Sequence, residues 1–194
     1  MNPIRSVCVF CGSAAGNRPG PARAAARLGT LLAGAGLRLV YGGGRAGLMG
    51  AVADAALEAG GHVTGVIPEF LVARERGHQG LGEMHVVDSM HARKQKMFEL
   101  ADGFAVLPGG IGTLDETFEI IAWKQLGLHD KPVVIVDEDG YWAKLDSLIG
   151  ELVADGFAGP ATRALYTMVG SVEDVVDVFA AMPVATIDTD PTRL

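Results

Sequence analysis

The sequence predicts an α/β fold, a three-layer sandwich in which a mostly parallel central sheet is covered by helices on both faces. Two observations carry that expectation. Short apolar runs alternate along the chain with helix-patterned segments of roughly 10 to 15 residues, as in successive strand–helix units. Glycines stand directly after three of the apolar runs, at 12, 42–47 and 109–112, where strands of such a sheet turn into helices.

In chain order, Val7-Cys8-Val9-Phe10 reads as a buried strand and residues 21–35 as a helix opened by Pro21 and closed by Gly34-Ala35-Gly36. Residues 37–41 form a second strand, Gly42-Gly43-Gly44-Arg45-Ala46-Gly47 a turn, and 48–58 an alanine-rich helix ended by Gly60-Gly61. Strand 62–67 follows. The stretch 68–82, with mixed charge and three glycines, predicts either a loop ordered on binding or a short irregular helix. Residues 84–87 suit a short strand, and 89–101 a helix with Met90, Met97 and Leu100 among Arg93, Lys94 and Lys96. Strand 104–107 leads into Pro108-Gly109-Gly110-Ile111-Gly112 and a helix over 113–125 that offers Phe118, Ile121 and Ala122 to the core. Strand 132–136, helix 141–154, a strand near 165–169 and helix 172–180 capped by Ser171 complete the pattern.

Composition narrows the function classes. A chain of 194 residues buries on the order of 70% of its extended surface, enough for one sizeable core. Residues 1–182 are accordingly expected as one nucleotide-binding catalytic domain, with 183–194 as a peripheral tail. The formal charge of −7 provides no broad basic field, which argues against a nucleic-acid polymer as partner. The first residues lack a signal-peptide pattern and no apolar run approaches the ~18 residues of a membrane span, so the cytoplasm is the expected location and no membrane partner is expected. Cys8 and Cys11 are the only cysteines. Their spacing in an extended segment places them on opposite faces, which fits core or loop thiols better than a redox pair.

The glycines suggest the ligand. Gly42, Gly44 and Gly47 satisfy G-x-G-x-x-G between a strand and a helix. Glycine allows close backbone approach, so N–H groups converge on phosphate while the helix end adds a positive dipole. A dinucleotide fits poorly: the run does not follow the first strand, and about twenty residues on stands His62 where a ribose-binding carboxylate belongs. A nucleoside monophosphate fits better, and a purely structural turn stays open. Gly109, Gly110, Gly112 and Thr113 form a second site of the same kind, and Gly12-Ser13 a third candidate. Neither run matches a P-loop.

Thr113-Leu114-Asp115-Glu116 also reads as a capping box. Glu116 is therefore either a cap or, beside a glycine loop, a catalytic carboxylate. Glu119 follows at i+3, where both carboxylates can share a face and Glu119 can touch ligand or metal. Splitting an N-glycosidic bond builds positive charge on the ribose, which a carboxylate stabilises while positioning water. Arg93 and Lys94 supply cations for phosphate or the departing base, a solvated charged face being the alternative for each. His91 is better read as structural than as an acid.

Cys11-Gly12-Ser13, Gly42-Gly43-Gly44 with Gly47-Leu48-Met49-Gly50, Met90-His91-Ala92-Arg93-Lys94, and Pro108-Gly109-Gly110-Ile111-Gly112-Thr113-Leu114-Asp115-Glu116 together resemble the LOG ("lonely guy") family, cytokinin riboside 5'-monophosphate phosphoribohydrolases long mislabelled as lysine decarboxylases. The resemblance spans nearly the whole chain. It implies a Rossmann-like fold, a homodimer with its sites near the subunit contact, Arg93 and Glu116 as the catalytic pair, and release of free base plus ribose 5-phosphate. Substrate contacts are expected from Gly12, Ser13, Gly43, Gly44, Met90, Lys94, Gly109, Gly110, Gly112, Thr113 and Glu119, with AMP or a cytokinin monophosphate as substrate. Asp115 stands where many relatives have glutamate. Neither metal nor cofactor is expected; pyridoxal phosphate in particular has no Schiff-base lysine nominated by any pattern. The rival reading is a nucleotide or molybdenum-cofactor carrier that uses the same loops only to bind.

Overall fold

The structure, a computed structural model, describes residues 4–72, 77–78 and 80–181. The tail expected at 183–194 lies outside them. Seven strands form one sheet, β1 (Ser6–Phe10), β2 (Arg38–Tyr41), β3 (Val63–Pro68), β4 (Glu83–Val87), β5 (Gly103–Val106), β6 (Val133–Val136) and β7 (Thr167–Val169). Their spatial order is β4-β3-β2-β1-β5-β6-β7, and every strand pair among the described residues is parallel. The order reverses between β1 and β5. At that switch point the following loops diverge to opposite sides and leave a crevice.

Helices α1 (Gly20–Gly34), α2 (Gly47–Glu58) and α7 (Glu173–Ala181) cover one face, where Leu28, Leu32, Val52 and Phe179 join Val7, Val9 and Cys11. Helices α4 (Met90–Leu100), α5 (Ile111–Gln125) and α6 (Ala143–Ala154) cover the other, where Met97, Ile120 and Ile149 join Cys8, Phe10 and Val106. The alternation of β1 thus sends Cys8 and Cys11 to opposite faces, as their spacing predicts. Leu28 and Leu32 are fully buried and each contributes about 1.5–3 kcal/mol of hydrophobic stabilisation. Gly29 lets α1 lie close on α2: a Cβ there would stand 2.2 Å from the Val52 carbonyl oxygen.

The 68–82 stretch contains a short helix, one of its two expected forms, α3 (Glu69–Val72). Two local expectations change. The helix expected over 141–154 starts at Ala143, after a short 3-10 turn at Glu138–Gly140, because Trp142, at φ −94° and ψ 0°, stands outside the helical region as the N-cap. Helix α5 begins at Ile111, three residues earlier than a capping box with Thr113 as N-cap requires. Thr113 lies inside its first turn and is buried, while the N-cap, Gly110, has no side chain to cap with. The capping-box reading of Thr113 and Glu116 fails for that reason. Ser171 uses its hydroxyl to donate to the Asp174 carboxylate at 2.7 Å.

Candidate active site

The loops after β1, β2 and β5 interlock. The Gly12 N–H donates to the Pro108 carbonyl at 3.0 Å, and the Gly12 carbonyl accepts from Leu48 N–H at 3.0 Å. Only glycine suits two of the contacts. A Cβ on Gly47, whose φ is +60°, would come within 2.5 Å of the Ala14 backbone, and one on Gly109 would meet the Thr113 hydroxyl at 2.1 Å. The opening of α2 is thus met by the Gly12 carbonyl. By contrast α5 opens without a side-chain cap, so its first amides can serve a bound anion.

A cavity of about 260 Å³ lies beyond the carboxyl end of β1. Its wall includes Gly12, Ser13, Met90, Arg93, Gly110, Gly112, Thr113 and Glu116 from the sequence-predicted set. Cys11, Gly42, Met49, Leu71, Met97 and Ile111 complete most of the remainder. Gly42 belongs to the predicted glycine run, whereas Met49, Leu71, Met97 and Ile111 are wall positions on separate segments that share no common spacing in the sequence.

Arg93 is one of the few buried charged residues, 5% exposed. Ser89 caps α4 by accepting from Ala92 N–H at 3.1 Å, which starts the helix where its first turn points Arg93 back over the sheet. The guanidinium donates from Nη2 to the Gly42 carbonyl at 2.8 Å and from Nε to the Val66 carbonyl at 3.2 Å, while Nη1 lies 3.8 Å from Met90 Sδ. Gly42 is indispensable here, since a Cβ would fall 2.0 Å from Nη2. Glu116, in the second turn of α5, shares the cavity wall. Both charges act on the thiols beneath: burial chiefly pushes the Cys11 thiol up, Glu116 adds to that and Arg93 opposes it. A reactive thiolate at Cys11 is disfavoured accordingly.

Other predicted contacts stand elsewhere. Gly43, with φ of +73°, packs against Ile67 and Met84 and accepts from His78 N–H at 3.0 Å, while Gly44 bridges Gly77. His78 is fastened to Asp54 at 2.8 Å. Gly109 lines a neighbouring cavity of about 320 Å³ with Ser13, Arg18 and Tyr141. Lys94 pairs with Asp115 at 3.1 Å and Glu119 at 3.0 Å. Burial lowers its pKa, but the two carboxylates outweigh that and raise it. Lys94 and Glu119 belong to a third hollow of about 420 Å³ between α4 and α5, with His91, Phe98, Trp123 and Leu128. The i+3 spacing of Glu116 and Glu119 therefore does not bring them onto one cavity wall. Among the described residues no group of three His, Cys, Asp or Glu is placed to hold a metal ion, and no helix is long and apolar enough to cross a membrane.

The sequence model of a family described as "Possible lysine decarboxylase" matches residues 49–179. A probable cytokinin riboside 5'-monophosphate phosphoribohydrolase of Oryza sativa subsp. japonica is 49% identical over 166 residues, 86% of this chain and 72% of that protein. A cytokinin riboside 5'-monophosphate phosphoribohydrolase of Rhodococcoides fascians is 46% identical over 173 residues, 89% of this chain and 87% of that protein. The molybdenum cofactor carrier protein of Chlamydomonas reinhardtii shares the fold, with a TM-score of 0.68 at 20% identity over 92% of this chain and 99% of the carrier; identity that low speaks for architecture alone. With sequence identity near one half across most of both partners, the chain belongs to the LOG family.

Proposed function

We propose that the protein is a phosphoribohydrolase that cleaves the N-glycosidic bond of a purine or cytokinin riboside 5'-monophosphate, giving free base and ribose 5-phosphate. The observation that carries the reading is the meeting of Arg93, Glu116 and the uncapped start of α5 on one cavity wall. Relatives of near 50% identity named as enzymes of this reaction support it. In the reaction the C1'–N bond breaks as water adds to C1'. Glu116 stabilises the positive ribosyl charge and takes a proton from the water, and the departing base leaves with a proton in exchange. Amides of Gly110, Gly112 and Thr113 hold the 5'-phosphate at the helix start. Arg93, anchored by the Gly42 and Val66 carbonyls, orients the substrate from the cavity wall.

The apolar side of the cavity, with Met49, Met90, Met97 and Leu71, suits a base with or without an apolar N6 group. Met side chains adapt to either. The same protein is proposed to act as a homodimer. The hollow between α4 and α5 exposes Leu128, and Leu126 beside it is 70% exposed. A second copy covering this face would place the subunit contact within two residues of Arg93, at His91 and Lys94 on the same helix. Incubating the protein with AMP and isopentenyladenosine monophosphate and separating the products tests the activity. Ribose 5-phosphate and base are expected; release of nucleoside and inorganic phosphate alone would overturn the reading.

A further inference from the structure

The glycine loop after β5 is held from outside by a residue that no motif includes. Tyr141 donates its phenolic hydrogen to the Gly109 carbonyl at 2.6 Å, across 32 residues of sequence. Its position is set by an unusual turn. Asp139, with φ of 58°, is the one non-glycine residue in the left-handed region among those described, and Gly140 follows it at 69°. Aspartate tolerates this conformation better than most residues that carry a Cβ, and the turn it makes sets the direction of the chain into Tyr141. Trp142, buried to 4% exposure, then meets the Tyr141 ring edge-on at 4.8 Å.

Gly109 and Gly110 share one peptide group, and no described peptide bond is cis. In a planar trans peptide the carbonyl and the following N–H point in opposite directions. The Gly109 carbonyl faces Tyr141, on the wall of the neighbouring cavity, whereas Gly110 lines both that cavity and the one containing Glu116. A Gly-Gly peptide flips readily because neither residue carries a Cβ to resist it. A Cβ on Gly110 would meet nothing within 4 Å, so packing at that side does not prevent the flip either.

We infer that Tyr141 is a positioning residue: by holding the Gly109 carbonyl it keeps the Gly110 N–H turned into the catalytic cavity as a donor to the substrate's phosphate. This rests on the reading that the site binds a phosphorylated ribose. With the hydroxyl absent, the peptide samples the flipped state, in which a carbonyl oxygen faces the phosphate instead of a donor.

Tyr141→Phe keeps the ring and its contact with Trp142 while deleting the donor. Inhibition constants for ribose 5-phosphate and free adenine, with melting temperature, are to be measured for wild type and variant. The expected result is about a tenfold weaker ribose 5-phosphate inhibition, the scale of one hydrogen bond near 1.4 kcal/mol, with adenine inhibition unchanged. Equal constants for ribose 5-phosphate in the two proteins, or equal weakening toward both inhibitors, would overturn the assignment. Direct calorimetric titration with ribose 5-phosphate separates the two levels: a wild type that binds none refutes the phosphoribosyl reading and this inference with it, whereas tight binding undiminished in the variant refutes this inference alone.

Discussion

Replacing Gly42 by alanine should disable the site without touching any charged residue. The new Cβ would stand 2.0 Å from Arg93 Nη2, 3.1 Å from Cζ and 3.0 Å from Met49 Sδ. Ordinary carbon–nitrogen contacts need about 3.5 Å, so the guanidinium must retreat by about 1.5 Å. It is 5% exposed and cannot simply swing into water. Retreat breaks the 2.8 Å bond to the Gly42 carbonyl, and a charged hydrogen bond of this kind is worth about 1.5–3 kcal/mol. A 1 Å misplacement of a positioned group costs roughly 100-fold in rate. Gly42→Ala is therefore expected to lower kcat/KM for base release by about 100-fold, and to lower the melting temperature by about 4–8 °C for a loss near 2 kcal/mol in a chain of this size. Base release followed by chromatography, with a thermal melt on the same sample, measures both. Near-parental kcat/KM in a folded Gly42→Ala protein would refute the role given to Arg93.

Lys94→Met should destabilise the protein by about 1 kcal/mol or less, because Lys94 pairs with half-exposed Asp115 as well as Glu119. Since its folded pKa is raised above 10.5, that contribution is fully present below pH 10.5 and disappears as pH rises through the folded value; denaturant melts at pH 8 and pH 11 check the sign. Cys8 and Cys11, both buried with thiols pushed up chiefly by burial, should resist a thiol-reactive disulfide reagent at pH 8 in the native protein and react promptly in urea, as read by absorbance. Leu128→Asp, in the hollow between α4 and α5, should shift the protein toward monomer in sedimentation velocity at micromolar concentration, an unchanged dimer counting against that interface.

Much of the fold is legible in the sequence because strand runs such as Val133-Val134-Ile135-Val136 are buried on both faces and therefore continuously apolar. The glycine turns are legible for a similar reason, since close backbone approach leaves glycine as the residue that fits. Arg93 and Glu116 stand out by motif, and both reach the cavity wall. What was not legible is direction. Adjacent Arg93 and Lys94 differ by about 100° around the helix, and only packing decides that the first enters the cavity while the second pairs outward with Asp115 and Glu119. The capping-box pattern misled because Ile111 and Gly112 already form helix ahead of Thr113. Tyr141 carried no signal, as its contact crosses from the loop after β6 to the loop after β5.

The central claim is that Glu116 does chemistry on a ligand bound at the start of α5. Glu116→Gln keeps the size of the side chain and removes its charge, so it isolates that claim from packing. Single-turnover base release from AMP, together with calorimetric binding of AMP to the same folded protein, measures it most directly. The account predicts a rate at least 100-fold lower, the contribution of a positioned acid–base group, with affinity for AMP within a few-fold of the parent. A Glu116→Gln enzyme that releases base at the parental rate would contradict it.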